Sequence, residues 1–407
     1  MSDRAYVFAC LPGEERPTLA AQVIVLATGN EGFCRFKYAR EWINAPHAFA
    51  FDPDLLPLAD IEYESHPGWE VFGALRDAGP DFWGRKLIEL RQNRLGLSEL
   101  EFLLAAGDAR VGALAFSTAR PPPVAKAPPS ATQLQQLADA AARVERDEPV
   151  SIELLELLGA GTGALGGMRP KATIQDAGRL WLAKFPSRED RYANTRWEFA
   201  TLELAARCGL DVPERRLMLV GERPVLLVAR FDRRLRSGVR ERAHYLSGLT
   251  MLGLHERDCG RATYSDLADW MRRHGVAPRD DTRELFRRMI FNILIGNTDD
   301  HLRNHAVIDF GEGLRLSPLF DVVPWLAAGG GGERMQAIGV GQEGRRASIA
   351  NALSDAGLFG LTEEAARVEV QRLVRIVHEE WRPCFQSAGV EERELDALER
   401  ILAREHV

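Results

Sequence analysis

The chain has 407 residues, of which 45% are apolar and 27% charged, and a formal net charge of −7. That length is too great for one small core and implies two or three domains of ordinary globular composition. The acidic balance excludes an overall electrostatic drive toward nucleic acid or an anionic membrane, though not a local basic patch.

Five cysteines, Cys10, Cys34, Cys208, Cys259 and Cys384, lie far apart with no C-x-x-C pair. An odd, scattered set argues against a disulfide framework or a thiolate zinc site and fits a reducing cytoplasm. MSDRAYVFACLPGEE carries no basic region followed by a long apolar core, and no apolar run reaches membrane-spanning length, so a soluble intracellular protein is expected.

In chain order, AQVIVLATG and CRFKYAREWI read as strands, and VFGALRDAGPDFWGRKLIELRQNRLG as helices broken at Gly79-Pro80. STARPPPVAKAPPSATQ, residues 117–133, is too rich in proline for a helix or central strand and reads as an extended linker. LQQLADAAARVERD reads as a short polar helix, and SIELLELLG as a second with an apolar stripe. KATIQDAGRLWLAKF alternates on both sides of Asp176-Ala177-Gly178, the pattern of a β-hairpin. NTRWEFATLELAARCGLDVP is a helix that a Thr195/Glu198 capping box can start and that Gly209 and Pro213 end. MLVGERPVLLVARFD adds a strand pair turning at Gly221-Glu222. From Tyr245 helices dominate, interrupted by a hairpin in HAVIDFGEGLRLSPLFD. The expected division is 1–116, an N-terminal mixed α/β subdomain; 117–150, linker and short helix; 151–235, a small strand-rich lobe; and 236–407, a helical lobe. A cleft between the two lobes is expected.

Four features carry candidate chemistry. GTGALGGMRPK holds G-x-G-x-x-G at Gly161, Gly163 and Gly166, but a helix precedes it and a hairpin follows, so a dinucleotide fold is excluded. Glycines beside strands that admit phosphates to backbone N–H groups remain. Lys184 ends a strand on which Leu180, Leu182 and Lys184 share one face; it reads either as a snorkelling lysine or as the phosphate-binding lysine that kinases place after a Gly-rich loop. Glu198 reads as the cap residue or as that lysine's partner. In GNTDDHLRN, Asp299 and Asn304 repeat the Asp-to-Asn spacing of kinase catalytic loops, where the Asp takes the hydroxyl proton and the Asn holds Mg²⁺. The second metal carboxylate is assigned to Asp321, after the return strand. Asp309, though it spells Asp-Phe-Gly with its neighbours, is assigned to the turn.

His301 and His305, four apart, support a rival reading as a metal-dependent hydrolase with Asp299 or Asp300 as third ligand. The basic run RFDRRLRSGVRER, residues 230–242, reads as a solvated loop in preference to a DNA contact.

The chain resembles the HipA family, kinase toxins of bacterial toxin–antitoxin pairs. The resemblance rests on LRDAGPDFWGRKLIE, GDARVGALAF, GGMRPKA, LAKF, GLDVP, ARFDRR, FNILIGNTDDHLRNHAVI and LSPLFDVVPW, in family order from about residue 70 to residue 325. It implies an α+β, two-lobed fold distantly like that of protein kinases, with a mostly helical C-terminal lobe, and an ATP- and Mg²⁺-dependent serine/threonine kinase. It implies Asp299 as base, Asn304 and Asp321 on Mg²⁺, Lys184 on phosphate, and Gly166, Gly167, Met168, Arg169, Pro170 and Lys171 in the phosphate loop. By the same transfer Ala229, Arg230 and Phe231 form the adenine hinge, with Asp232 near the ribose and His301 in the nucleotide site. It implies a protein substrate such as an aminoacyl-tRNA synthetase. It also implies a small helix-turn-helix antitoxin that brings DNA into contact only indirectly. Where the family carries an autophosphorylated serine in its Gly-rich loop this chain has Ala164, so that regulation is not transferred. A catalytically silent partner of the antitoxin is the other reading; the joint presence of Lys184, Asp299, Asn304 and Asp321 argues against it.

Overall fold

The computed structural model describes residues 3–26, 32–124, 126–160, 167–326 and 333–403. The chain divides into two compact units that alternate along the sequence. The first is Met1–Arg188, Leu219–Leu246 and Ile308–Gly313; the second is Glu189–Met218, Ser247–Val307 and Leu314–Val407. The N-terminal region, the helix after the linker and the Lys171–Lys184 hairpin therefore share one unit. The Asn194–Arg207 helix belongs to the other.

The first unit opens with an antiparallel sheet in the order Glu62–Glu64, Cys34–Tyr38, Thr18–Val25, Arg4–Ala9, Leu114–Ser117. Cys34, Phe36 and Tyr38 face inward and Arg35 and Lys37 outward, the period of two expected of a strand with one wet face. The strand expected to run through Ile43 stops at Tyr38, and Arg40–Ile43 is a helical turn. Trp42 is the reason: its ring meets Phe49 and Phe51 edge-on, and its Nε1 donates to the Phe49 carbonyl at 3.2 Å.

A second sheet of this unit pairs Lys171–Asp176 with Arg179–Lys184, and the latter with Arg223–Ala229. Trp181, Ala183 and Phe185 point into a core shared with Trp83 and Leu87 of the Phe82–Gln92 helix. The Leu134–Glu145 helix covers the same core with Leu134, Leu137, Ala138, Ala141 and Val144. It is thus amphipathic, not merely polar: two leucines and a valine at helical spacing each contribute about 1.5–3 kcal/mol of burial, and its alanines allow close approach.

The hairpin turns where the sequence predicts, with Asp176 and Arg179 as the closing pair. Ala177 and Gly178 have φ of 47° and 80°, the left-handed pair that a two-residue hairpin turn demands. Alanine tolerates this poorly. Ala177→Asn is therefore expected to raise stability by about 0.5–1 kcal/mol, read as a higher urea midpoint at unchanged slope.

Two buried titratable groups of this unit oppose each other. His244, stacked on Phe49 at 4.5 Å, is pushed down from 6.5 to about 4, mainly by burial. Asp52, whose Oδ1 accepts the Asp54 and Leu55 N–H groups, is pushed up from 3.8 to about 6, also mainly by burial. As pH falls from 6.5 to 4 the unfolded chain protonates the histidine first, which costs stability. As pH falls from 6 to 3.8 the folded chain protonates the aspartate first, which adds stability. Each contribution is about 3 kcal/mol at most. Relative to wild type, His244→Gln is expected to gain stability on acidification from pH 6 to 4, and Asp52→Asn to lose it. Thermal midpoints across that range check both signs.

In the second unit the Pro278–Ile295 helix is central, burying Leu285, Phe286, Met289, Ile290, Phe291, Ile293, Leu294 and Ile295. The Tyr264–His274 and Glu363–Ser387 helices pack on it. The Asn194–Arg207 helix starts differently from expectation. Thr195 lies inside it, Ala193 is the N-cap without a side-chain cap bond, and no Thr195/Glu198 capping box forms. Glu394 does the work instead, accepting from the Ala193 N–H at 3.2 Å and from the Trp197 indole at 3.1 Å. A carboxylate at that end also suits the helix dipole. The helix ends as predicted, with Gly209 at φ 74°. Among the described residues no helix is long and apolar enough to cross a membrane.

Candidate active site

The apolar Pro278–Ile295 helix ends abruptly because Gly296 adopts φ 67° and the Asn297 N–H bonds back to the Asn292 carbonyl at 2.9 Å. A Cβ at Gly296 would lie 2.6 Å from Ile401 Cγ2, so only glycine fits this corner. The chain then turns tightly: the His301 N–H bonds to the Asp299 carbonyl and the Asn304 N–H to the His301 carbonyl, each at 2.9 Å. Residues 302–304 form a single 3-10 turn.

The two adjacent aspartates face opposite ways. Asp300 is buried, and its Oδ2 accepts from Tyr264 Oη, from Asn292 Nδ2 at 2.7 Å and from His305 Nε2 at 3.1 Å. Asn292 in turn holds Asn297 Nδ2 at 3.0 Å. Burial opposes ionisation of Asp300, but His305 and Tyr264 outweigh it and hold the carboxyl below its ordinary range. Asp299 is exposed at the surface of the loop. Its carboxyl is raised, first by partial burial; His301 opposes this, and the Asp321 and Asp300 charges add to it.

Asn304 lies beneath Asp299. Its Nδ2 donates to the Asp299 carbonyl at 3.2 Å, which leaves Oδ1 as the available ligand atom. Asp321 approaches with φ 56°, a left-handed conformation that costs a non-glycine residue about 1–2 kcal/mol. Its charge is felt at Asp299. Asp299 thus has Asn304 bonded to its backbone and Asp321 close enough to act on its charge.

Asp309 is where the sequence reading put it: its Oδ1 accepts the N–H groups of Gly311, Glu312 and Gly313 at 2.6, 2.9 and 2.8 Å and closes the turn. The hydrolase reading is corrected. His305 is fully buried and bonded to Asp300, and a 3-10 turn separates it from His301, so the two rings do not share a helix face. Among the described residues no group of three or more His, Cys, Asp and Glu stands ready for a metal. Mg²⁺ does not need such a group, since it is held by one or two protein oxygens plus waters and phosphates. Asn304 Oδ1 and the Asp321 carboxylate suit that donor set, and the repulsion between Asp321 and Asp299 is what a cation there would relieve.

In the first unit, Gly161, Gly163, Ala164 and Gly166 lie outside the described residues. Gly167 has φ 107°, and a Cβ there would lie 2.8 Å from Lys171 Nζ. Met168 and Arg169 are exposed, and the Pro170 carbonyl accepts the Phe185 N–H at 2.9 Å. Lys171 is buried, and its Nζ meets Asp81 Oδ2 at 2.7 Å. Lys171 and Lys184 are cross-strand partners, and Asp81 neutralises the first of them. Asp81, which also caps the Phe82–Gln92 helix through Gly84 N–H, was not singled out in the sequence; its place after Gly79-Pro80 at a helix start was the available signal.

The hinge segment needs a correction at one residue. Ala229 lies in the sheet, the Arg230 N–H bonds to the Leu180 carbonyl at 3.0 Å, and Phe231 is half-buried. Asp232, expected near a ribose, is fully buried. Its oxygens accept from Arg230 Nε at 2.9 Å and Nη2 at 2.7 Å, from Arg233 Nη1 at 2.5 Å and from the Gly112 N–H at 2.9 Å. Burial works against the charge, but the two guanidiniums hold the Asp232 carboxyl well below the carboxylate range. Arg242 joins the cluster through Asp108 at 2.7 Å and the Gly112 carbonyl at 3.0 Å. ARFDRR and GDARVG are therefore two sides of one structural joint. Part of the rest of the basic run is also ion-paired: Arg234 pairs with Glu241 and Glu312, Arg236 shares Glu312, and Arg240 meets the neutral Gln175 amide. That lowers the positive charge this hairpin offers to DNA.

The residues that sequence reasoning missed are Tyr264, Asn292, Asn297 and the buried role of Asp300. An asparagine within the apolar run MIFNILI, eight residues before the second of two adjacent aspartates, was the visible sign.

Comparison with known proteins gives the family and the fold. A family model described as the HipA-like C-terminal domain matches residues 163–381, and one described as the HipA N-terminal domain matches residues 20–117. The "Putative kinase Y4mE" of Sinorhizobium fredii is 31% identical over 151 residues, 36% of this chain and 34% of that protein. The "Serine/threonine-protein kinase toxin HipA" of Shewanella oneidensis is 29% identical over 146 residues, 31% of this chain and 33% of that protein. The matched segments thus span about a third of these relatives. A solved structure titled as the Shewanella oneidensis toxin–antitoxin system HipA, HipB and operator DNA complex aligns with TM-score 0.66 at 17% identity. It covers 98% of this chain and 96% of that one, a likeness of fold. With the two domain models matching the greater part of its length in order, the chain belongs to the HipA family.

Proposed function

We propose that the chain is an ATP- and Mg²⁺-dependent serine/threonine protein kinase acting as the toxin of a toxin–antitoxin pair. The observation that carries the reading is the loop in which Asp299 stands exposed above Asn304, with Asp321 beside it. Bound Mg²⁺, held by Asn304 Oδ1 and the Asp321 carboxylate, would neutralise the phosphate oxygens. Asp299 orients the acceptor hydroxyl and takes its proton as the serine or threonine oxygen bonds to the γ-phosphorus and the bond to the β-phosphate oxygen breaks. Its raised pKa makes it a stronger base than an ordinary aspartate. Lys184 binds phosphate, and backbone groups of Ala229, Arg230 and Phe231 hold the adenine. His301 lies in the nucleotide site.

The substrate class is a translation-related protein such as an aminoacyl-tRNA synthetase, and the location is cytoplasmic. The partner is a small helix-turn-helix antitoxin, with DNA reached only through it. The likeness in fold to a HipA with HipB and operator DNA supports that partner, and the partly ion-paired basic hairpin is consistent with indirect DNA contact.

The test is transfer of labelled phosphate from Mg·ATP to proteins of a cell extract, with phosphoamino-acid analysis of the product. Labelled serine or threonine on a discrete band establishes the kinase and identifies its acceptor. No transfer, with ATP binding still measured by calorimetry, would leave a silent antitoxin partner.

A further inference from the structure

We propose that the buried Tyr264–Asp300–His305 cluster is a positioning device for Asn304, fixing its amide for the cation, with the Tyr264 hydroxyl as the bond that sets it. The inference rests on the assignment of Asn304 as a Mg²⁺ ligand.

Asn304 sits between two clasped residues of one short turn. On one side Asp300 Oδ2 gathers three donors: Tyr264 Oη from the Tyr264–His274 helix, Asn292 Nδ2 from the Pro278–Ile295 helix, and His305 Nε2 from the turn itself. On the other side the His305 carbonyl accepts the Gly248 N–H at 2.7 Å. A Cβ at Gly248 would lie 2.7 Å from the Leu302 carbonyl oxygen, so the backbone is pressed against the turn with no slack. Asn304 has one remaining degree of choice, the direction of its amide, and Nδ2 settles it on the Asp299 carbonyl.

Fold stability alone gives a weak reason for such a cluster, because a buried charge is often replaceable by apolar packing without loss. His305 Nδ1 is buried without a partner. Its Nε2 is committed to Asp300, so the ring is held by that one bond. The three donors hold the Asp300 carboxylate in a buried site below the loop that carries Asn304. Three donors converging on one oxygen also fix the direction of the Asp300 side chain, and through it the start of the turn. What this arrangement supplies is direction, which a cation ligand needs.

Tyr264 is itself held from outside the loop: its N–H bonds to the Gly339 carbonyl at 2.9 Å, and Thr263 caps its helix through Asp266. Its hydroxyl therefore arrives at Asp300 from a fixed base.

The test uses Mn²⁺ as a spin probe in the presence of a non-hydrolysable ATP analogue, followed by electron paramagnetic resonance on the full chain. Tyr264→Phe removes one oxygen and is expected to raise the Mn²⁺ half-saturation about tenfold, while the thermal midpoint and the metal-free nucleotide affinity stay near wild type. His305→Gln, which keeps a donor for Asp300, is expected to bind Mn²⁺ nearly as wild type does; His305→Leu is expected to behave like Tyr264→Phe. Asn304→Ala is the control on the underlying assignment. If Asn304→Ala weakens Mn²⁺ and Tyr264→Phe does not, the positioning role is overturned and the ligand assignment stands. If Asn304→Ala binds Mn²⁺ as wild type does, the ligand assignment fails and this inference with it. Loss of fold in Tyr264→Phe would show that the cluster holds the fold and not the cation, which also overturns the proposal.

Discussion

Asp299→Asn is expected to lower phosphate transfer by about 10²–10⁴-fold, the usual worth of a positioned general base, with the thermal midpoint almost unmoved. The small effect on stability follows from placement. Asp299 is exposed, its backbone rather than its side chain holds Asn304, and an asparagine keeps the shape. The substitution also removes one of the carboxylates that repel each other here. Cation and nucleotide binding should therefore persist or tighten slightly while turnover collapses. Full activity in this variant would show that another group takes the proton; a large drop in thermal midpoint would show that Asp299 serves the fold.

The largest expected effect on stability lies at Asp232. Asp232→Ala strips the shared carboxylate from two buried guanidiniums and leaves the Gly112 N–H unpaired. Breaking a buried ion pair from one side costs about 3–5 kcal/mol, a large share of the roughly 5–15 kcal/mol that a domain has. The loss should appear as a lower urea midpoint. The pH dependence has a defined sign. The folded carboxyl is held below its ordinary 3.8, so its contribution is complete above that value and fades as pH falls below it. The ribose role makes the opposite forecast, weaker ATP binding at unchanged stability. An unchanged midpoint with weakened ATP binding would restore it.

These two aspartates also show what a sequence discloses. That Asp299 would lie near Asn304 and Asp321 was legible because the Asp-to-Asn spacing and the return strand are local patterns with few geometric solutions. The Asp176–Arg179 turn, the Gly209 helix end and the Asp309 turn were legible for the same reason: each is set by residues within a few positions. Asp232 was not, because its partners include Gly112, 120 residues away. Nor was the Asn194–Arg207 start, where a distant carboxylate outcompetes the nearby Thr195/Glu198 option. The polar look of Leu134–Glu145 misled because alanines count little in composition yet fill the space between a helix and a sheet. Asp300 shows the limit most plainly. Two adjacent aspartates are identical as letters, and only the tight turn, which sends one outward and the other onto Tyr264, separates their roles.

The cap supplied by Glu394 has a consequence for the order in which the protein is made. Ala193 and Glu394 stand 201 residues apart, roughly 10–40 s of translation at 5–20 residues per second. Throughout that interval the nascent helix 194–207 has no cap. Ile401, which packs against the glycine at the mouth of the catalytic loop, is also still missing. Both arrive together on the Glu392–Leu402 helix. Chains arrested before that helix emerges would carry every candidate catalytic residue without the side chains that brace Gly296 and Ala193. The second unit is thereby braced only once residues 392–402 have been made.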